Sequence, residues 1–338
     1  MTAESPPAAP AAAPRFRFGL AKPSQEQIVL LLTIALLIVF SVTLNGFATV
    51  PNLLNLARSI SILGILGLGM GLIVISRGID LSEVAIMAGS WAVGLIEMQM
   101  GMSPIWASVL ALTVALTIGA INGIMVAFVE APALFVTLAA GSVIYGGAFW
   151  FAPVWVVYAP TNAHALLFLG AGHLFGIPMP ILVFAFCALV VHLFLSRTST
   201  GRFIYAQGDN PEAARLAGIA LRPLIVLEYM IVAFLAWIAG LIWVGTTGSI
   251  QMAVVQGTYV FDVILVVVLG GISLIGGRGS VFSVVVGCAL IGTLLNAFTI
   301  MDVNSEVQNI IRGVVLLAAI ILDNWLHPRD EETARQGD

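Results

Sequence analysis

Ten stretches of apolar residues, each about 20 residues long, follow one another along this chain. They run at about 28–47, 52–75, 84–100, 105–128, 133–156, 177–195, 224–246, 259–277, 281–300 and 308–326. A helix that crosses a membrane needs about 20 mostly apolar residues, whereas the strands of a membrane barrel alternate over about 9–11 residues. The pattern therefore predicts an all-α polytopic transmembrane helical bundle of about ten spans. Eight spans are the alternative, if two short stretches are re-entrant.

The composition excludes a soluble protein. The chain has 338 residues, of which 60% are hydrophobic and only 9% are charged. A typical soluble domain has about 25% charged residues. So few charges do not cover the surface of a soluble protein of this size.

Three regions divide the chain. Residues 1–26 are rich in alanine and proline and have little to bury, so we expect a disordered cytoplasmic tail. Residues 27–326 hold the apolar stretches and, between the sixth and seventh, a long polar loop at 196–222. Residues 327–338 form a second short polar tail.

The basic residues predict the orientation in the membrane. With ten spans and a cytoplasmic start, the cytoplasmic tails and turns collect eleven of the thirteen arginines and lysines, and the external turns, including 157–176, hold none. Cytoplasmic loops carry an excess of these residues. Both termini are therefore predicted to be cytoplasmic. The other two, Arg58 and Arg312, lie inside apolar stretches, where we expect them to reach the interface or pair with a carboxylate.

Catalytic chemistry has no visible motif. The only lysine is Lys22, in the first tail, whereas a nucleotide-binding P-loop needs a lysine after its glycines. The four histidines lack HExxH spacing, and Cys187 and Cys288 both lie in apolar stretches. We expect no enzyme activity, no metal site and no cofactor in this chain.

The polar loop contains the signals of a short helix. Asn210 is a good helix cap, Pro211 suits the first turn, Glu212 favours the positive amino end and Gly218 is a natural stop. We predict a helix from about Pro211 to Ala217 outside the membrane. It is either a solvated turn or a docking helix for a soluble partner.

Four segments of the chain resemble one known family, the ribose-type permease subunits of bacterial ATP-binding-cassette (ABC) importers. They are GIDLS at 78–82, ING at 121–123 followed by PALFVTL at 132–138, GRFIYAQGDNPEAARLAGI at 201–219, and GGISLIGGRGS at 270–280. The resemblance covers about 70–323 in the family's order.

The resemblance implies a sugar-importing subunit of the bacterial inner membrane, normally a homodimer within membrane lipid. Its implied partners are a cytoplasmic ATPase and a soluble external substrate-binding protein; no nucleic acid is implied. In this family the NPEAARLxGI segment docks into the ATPase. Carried over, this assigns docking to Asn210, Pro211, Glu212, Ala213, Ala214, Arg215 and Gly218.

The chain departs from the family pattern around its first segment. Arg77 replaces the commoner glycine before Gly78, and Glu83 follows the segment. With Asp80 these residues form a charged cluster, which we interpret as a local ion pair that stabilises a helix break. Gating or substrate passage is the alternative.

Polar side chains inside apolar stretches are costly and usually face a bundle interior or a cavity. Neutral amides and hydroxyls suit the hydroxyl groups of a sugar, because they both donate and accept hydrogen bonds. The predicted substrate path uses Asp80, Ser82, Asn122, Thr137 and Asn296. The alternative function is an ion-coupled secondary transporter, for which Glu97, Asp262 and Gly78 are the candidates.

Overall fold

The computed structural model describes residues 24–151, 155–161 and 163–326, and it is almost entirely helical. The helices are α1 (Gln25–Thr43), α2 (Val50–Ile75), α3 (Glu83–Gln99), α4 (Pro104–Ala127), α5 (Ala133–Phe151), α6 (His164–Ala171), α7 (Met179–Arg197), α8 (Ser199–Asp209), α9 (Pro211–Leu216), α10 (Leu221–Thr247), α11 (Ala253–Gln256), α12 (Tyr259–Gly270), α13 (Val281–Ile300) and α14 (Ser305–Leu326). The short strands are β1 (Val156–Tyr158), β2 (His173–Leu174), β3 (Ile177–Pro178) and β4 (Ser249–Gln251). The predicted fold class, an all-α helical bundle, is confirmed.

Each of the ten predicted stretches contains one of these helices. Seven described helices are long and apolar enough to cross a membrane, namely α1, α2, α4, α5, α7, α10 and α13. Helix α3 has 17 residues and α12 has 12, so both are short for a span. The count of ten spans therefore stays a prediction, as does the position of the two tails, which lie outside the described residues apart from 24–26.

Helices α2 and α10 form the centre of the bundle. From Ser61 to Ile75 every residue of α2 is buried, and this helix packs against α7, α10, α12 and α13. Helix α10 packs against α2, α3, α4 and α6. Small residues allow this close approach: a methyl group at Gly119 of α4 would lie 2.7 Å from the carbonyl oxygen of Tyr229 in α10.

In two of the predicted apolar stretches, the helix in the structure ends before the stretch does. Helix α12 ends at Gly270, because Gly271 has a left-handed backbone (φ +100°). Residues 271–280 form a glycine-rich turn, in which Gly276, Gly277 and Gly279 also have positive φ. The prediction of one span over 259–277 is therefore wrong at its end, because the helix stops at Gly270. The expected span 133–156 is wrong at its end, where Val156 belongs to strand β1.

The segment predicted as the external loop 157–176 is structured. Strand β1 pairs antiparallel with β4, and β2 pairs antiparallel with β3 in a tight hairpin. Helix α6 lies between β1 and β2 along the chain and packs against α10 and α7. This segment covers the end of the bundle where α10 ends, opposite to α8 and α9.

Candidate functional site

The short helix predicted in the polar loop is confirmed as α9. The Asn210 side chain caps it by accepting a hydrogen bond from the Ala213 backbone N–H at 3.0 Å, and Pro211 occupies its first position. Gly218 follows with φ +83°, the left-handed conformation that ends a helix. Helix α8, which precedes α9, was not predicted.

Helix α9 presents a mixed surface. Glu212, Ala213 and Arg215 are exposed, and Leu216 is 88% exposed. Ala214 is only 4% exposed, so its small side chain packs within the protein itself. The outward face of α9 therefore carries two charges of opposite sign and one large apolar side chain.

Arg77 fastens the end of α8 to the turn between α2 and α3. Its guanidinium donates from Nε to the Gly208 carbonyl oxygen at 2.7 Å and from Nη2 to the Asp209 carbonyl oxygen at 2.6 Å. The expected ion pair within the cluster of Arg77, Asp80 and Glu83 is wrong, because the arginine is used by α8. The backbone of Arg77 has φ +69°, which explains why glycine suits this position in the resembled family.

The glycine-rich turn 271–280 packs against the same region, where the turn between α2 and α3 meets the end of α8. The Gly277 N–H donates to the Ile75 carbonyl oxygen at 2.8 Å, and the Tyr205 hydroxyl donates to the Gly279 carbonyl oxygen at 2.8 Å. A methyl group at Gly208 would overlap the Ile75 carbonyl oxygen. Three of the four family-like segments thus meet in one place. We call this place the junction and define it as residues 75–80, 205–209 and 276–279.

Three of the predicted path residues form a hydrogen-bonded chain behind the junction. The Asn122 amide donates to the Ser82 hydroxyl at 2.9 Å, and the Ser82 hydroxyl donates to the Asp80 carboxylate at 2.5 Å. All three are at most 1% exposed. Burial raises the pKa of Asp80, which lies in the turn, to about 6, against the lowering effect of its bonds to Ser82. Thr137 is also buried, and its hydroxyl donates to the Ala133 carbonyl oxygen within α5.

Besides Asp80, the structure has a buried carboxyl at Glu228 that the sequence analysis did not single out. The Ser76 hydroxyl donates to Glu228 at 2.8 Å, and the Gln207 amide lies 3.5 Å from the same oxygen. Glu228 links α10 to the junction and is 1% exposed. Its charge inside an apolar stretch is the signal that points to it. Glu83, by contrast, is fully buried, and its carboxylate has no hydrogen-bond partner among the described residues.

A cavity of about 510 Å³ opens at the other end of the bundle, away from the junction. Its wall is formed by Asn52, Asn55, Leu56, Ser59, Ile62, Leu63, Trp243, Thr246, Thr247, Tyr259, Gly292, Leu295, Asn296 and Thr299. Asn296 is the one predicted path residue on this wall. It forms a reciprocal amide pair with Asn52, with the two hydrogen bonds at 2.9 and 3.0 Å.

The wall of the cavity carries no charged side chain among the described residues. The charged groups nearby are held by other partners. Arg312 forms an ion pair with Asp262 at 3.2 Å, which confirms the expected pairing of this arginine with a carboxylate. It also donates to the Thr258 hydroxyl at 2.7 Å. Arg58 instead contacts a ring nitrogen of His173 at 2.8 Å, and it also donates from Nη1 to Oδ1 of the wall residue Asn55 at 3.5 Å.

Comparison with known proteins identifies relatives across most of the chain. Residues 52–320 match the family model described as "Branched-chain amino acid transport system / permease component". The ribose import permease of Escherichia coli (strain K12) is 33% identical over 308 residues, which cover 88% of this chain and 94% of that protein. No solved protein structure matches the chain significantly.

Two further relatives act on other sugars by name. The L-arabinose transport system permease of Escherichia coli (strain K12) is 30% identical over 93% of this chain and 94% of its own length. The fructose import permease of Rhizobium meliloti is 29% identical over 90% of this chain and 86% of its own length. The similarity is thus to permease components over nearly their full length.

Proposed function

We propose that this chain imports a sugar or sugar-like solute. It belongs to the permease family whose model matches residues 52–320, and it is the membrane permease of an ABC importer. In this proposal an external binding protein delivers the solute, a separate cytoplasmic ATPase supplies the energy, and two copies of the chain form the pathway. The sugar-specific names of the relatives support the substrate class. Nothing in the comparisons favours the ion-coupled alternative.

Helix α9 is the observation that carries the coupling proposal. It lies outside the long helices and exposes Leu216 beside the charged groups of Glu212 and Arg215. Fully burying a leucine side chain contributes about 1.5–3 kcal/mol. A groove on the ATPase that covers Leu216 would stabilise the complex by this amount, and the Arg215 guanidinium could donate hydrogen bonds to an acidic residue at the edge of the groove.

The junction gives α9 a mechanical connection to the bundle. The end of α8, immediately before α9, is held by Arg77 and lies against the Ile75 carbonyl oxygen. A partner that displaces α9 therefore pulls directly on the end of α2. In this proposal α9 is cytoplasmic and the cavity faces the binding protein.

The substitution Leu216→Glu tests the docking role. We expect the variant to insert and fold normally, because an exposed side chain is changed, but to lose sugar uptake and co-purification with the ATPase. Ser199→Glu is the matched control, because it adds the same charge to the same loop at an exposed position of α8. Ala214 is unsuitable, because its burial makes a substitution there a test of folding.

The docking role fails if Leu216→Glu binds the ATPase and transports as the unaltered protein does. It also fails if Ser199→Glu is impaired to the same extent, because the effect then follows from charge alone. The sugar assignment fails separately, if the intact importer takes up none of the sugars offered.

A further inference from the structure

The cavity opposite the junction is built to bind a neutral, hydroxyl-rich ligand. We propose that it is a binding site for the monosaccharide within a single chain, with Tyr259 and Trp243 as its recognition residues. This inference rests on the proposed sugar import and adds to it the place and the residues of recognition. Only Asn296 of this wall belonged to the predicted path.

The size and lining of the cavity fit a small-molecule site. Its volume of about 510 Å³ lies within the range of about 300–1,000 Å³ that is usual for such sites. Trp243 and Tyr259 form an edge-to-face pair with ring centroids 5.5 Å apart. Aromatic walls of this kind cover the apolar C–H faces of a sugar ring, while their N–H and O–H groups remain available for its hydroxyls.

Several polar groups on the wall have no protein partner. Within the described ranges the structure gives no hydrogen bond to the Tyr259 hydroxyl, the Trp243 indole N–H or the Ser59 hydroxyl. Asn296 uses one N–H for its pair with Asn52 and keeps the second. A ligand with many hydroxyl groups is the natural partner for this mixture of donors and acceptors.

A zwitterionic amino acid fits this wall poorly. Its ammonium and carboxylate groups need opposite charges or several aimed donors when they leave water, because burying an unpaired charge is very costly. The described wall offers no carboxylate for the ammonium group: Asp262 is paired with Arg312, and Arg58, which contacts His173 and the wall residue Asn55, is itself a cation. The described wall therefore favours a neutral sugar over the branched-chain amino acids for which the family model is described.

The substitution Tyr259→Phe tests recognition directly, because it removes a hydroxyl that has no partner in the described protein. The control is Tyr145→Phe, because the Tyr145 hydroxyl likewise has no hydrogen-bond partner among the described residues and the residue lies on α5, outside the cavity wall. Uptake of radiolabelled D-ribose, D-fructose, L-arabinose and L-leucine is measured in cells that contain the complete importer. We expect Tyr259→Phe to lower uptake of the transported sugar about two- to ten-fold, as loss of one hydrogen bond predicts. Tyr145→Phe is expected to leave uptake unchanged.

A second measurement does not depend on transport. Ser59→Cys places a thiol on the cavity wall, and both native cysteines are buried. We expect millimolar concentrations of the transported sugar to slow the reaction of this thiol with a small membrane-impermeant reagent several-fold, whereas L-leucine has no effect. Thr43→Cys, exposed at the end of α1 and not on the wall, is the control and reacts at the same rate with and without sugar.

The two measurements separate the inference from the proposed function. The cavity assignment is overturned if sugar does not protect Ser59→Cys and Tyr259→Phe transports normally, even when Leu216→Glu abolishes uptake. Protection by L-leucine instead of sugar overturns the ligand class. If the intact importer takes up L-leucine and none of the sugars, the proposed function itself fails.

Discussion

Arg77 holds the junction together, and its replacement is the sharpest test of how α9 communicates with the bundle. The residue makes two charge-assisted hydrogen bonds, to the carbonyl oxygens of Gly208 and Asp209. It makes them from a left-handed backbone with φ +69°. We consider two substitutions, Arg77→Gly and Arg77→Ala, which remove the same hydrogen bonds and differ only by the Cβ methyl group that disfavours a left-handed backbone.

The magnitudes follow from these two features. A hydrogen bond to a charged group contributes about 1.5–3 kcal/mol, so two contribute at most about 3–6 kcal/mol before competition with water. Arg77 is half-buried, and competition reduces this figure towards its lower end. A left-handed backbone costs a residue with a Cβ atom about 1–2 kcal/mol, a cost that glycine avoids. We therefore expect Arg77→Ala to be less stable than Arg77→Gly by about 1–2 kcal/mol.

Thermal unfolding of the purified variants in detergent measures the stability order, and sugar uptake with ATPase co-purification measures the coupling. Both variants are expected to bind the ATPase, because the outward face of α9 is unchanged, but to lose most uptake. Equal stability of the two variants would refute the argument from the backbone. Normal uptake in both would refute the role of Arg77 in transmitting motion.

Two further predictions concern packing. Arg312→Gln leaves the buried carboxyl of Asp262 unpaired and should lower the free energy of unfolding by about 3–5 kcal/mol, whereas adding Asp262→Asn should recover part of the loss. No recovery in the double variant would show that the two side chains do not act as a pair. Gly287→Ala should destabilise by about 1–3 kcal/mol, because its methyl group would overlap the Val266 carbonyl oxygen, while Gly313→Ala, with open space around it, should be neutral or stabilising. Detergent-based thermal unfolding measures both, and equal effects of the two glycine substitutions would contradict the overlap.

Local chemistry made α9 predictable from the sequence. The cap by Asn210, the proline in the first turn and the glycine after the last turn act over a few residues, so their effect does not depend on the remaining fold. The apolar stretches were predictable for a similar reason, because their length is set by the membrane. The end of α12 was missed because a glycine with positive φ looks the same in sequence as a glycine that packs inside a span.

The junction and the cavity depend on contacts between distant parts of the chain. Arg77 and Gly208 are 131 positions apart, and Asn52 and Asn296 are 244 positions apart. Hydrophobic periodicity fixes the faces of helices but not which ends of which helices meet. The sequence therefore indicated Asn296 and Arg77 as single residues, but their partners, Asn52 and Gly208, are known only from the fold.

The two sites are connected by helices that run from one to the other. Helix α2 carries Asn52 of the cavity wall in its first turn and ends at the junction with Ile75, and its 26 residues extend over about 39 Å. Its second half is buried without interruption, so neighbouring helices hold it on all sides and a displacement of its end moves it as a body. Helix α10 makes the same connection, because it begins at Leu221, five residues after the end of α9, and carries Trp243 on the cavity wall. In the proposed coupling, a displacement of α9 therefore reaches the cavity wall through both helices, because α2 and α10 pack against each other and both contribute residues to that wall.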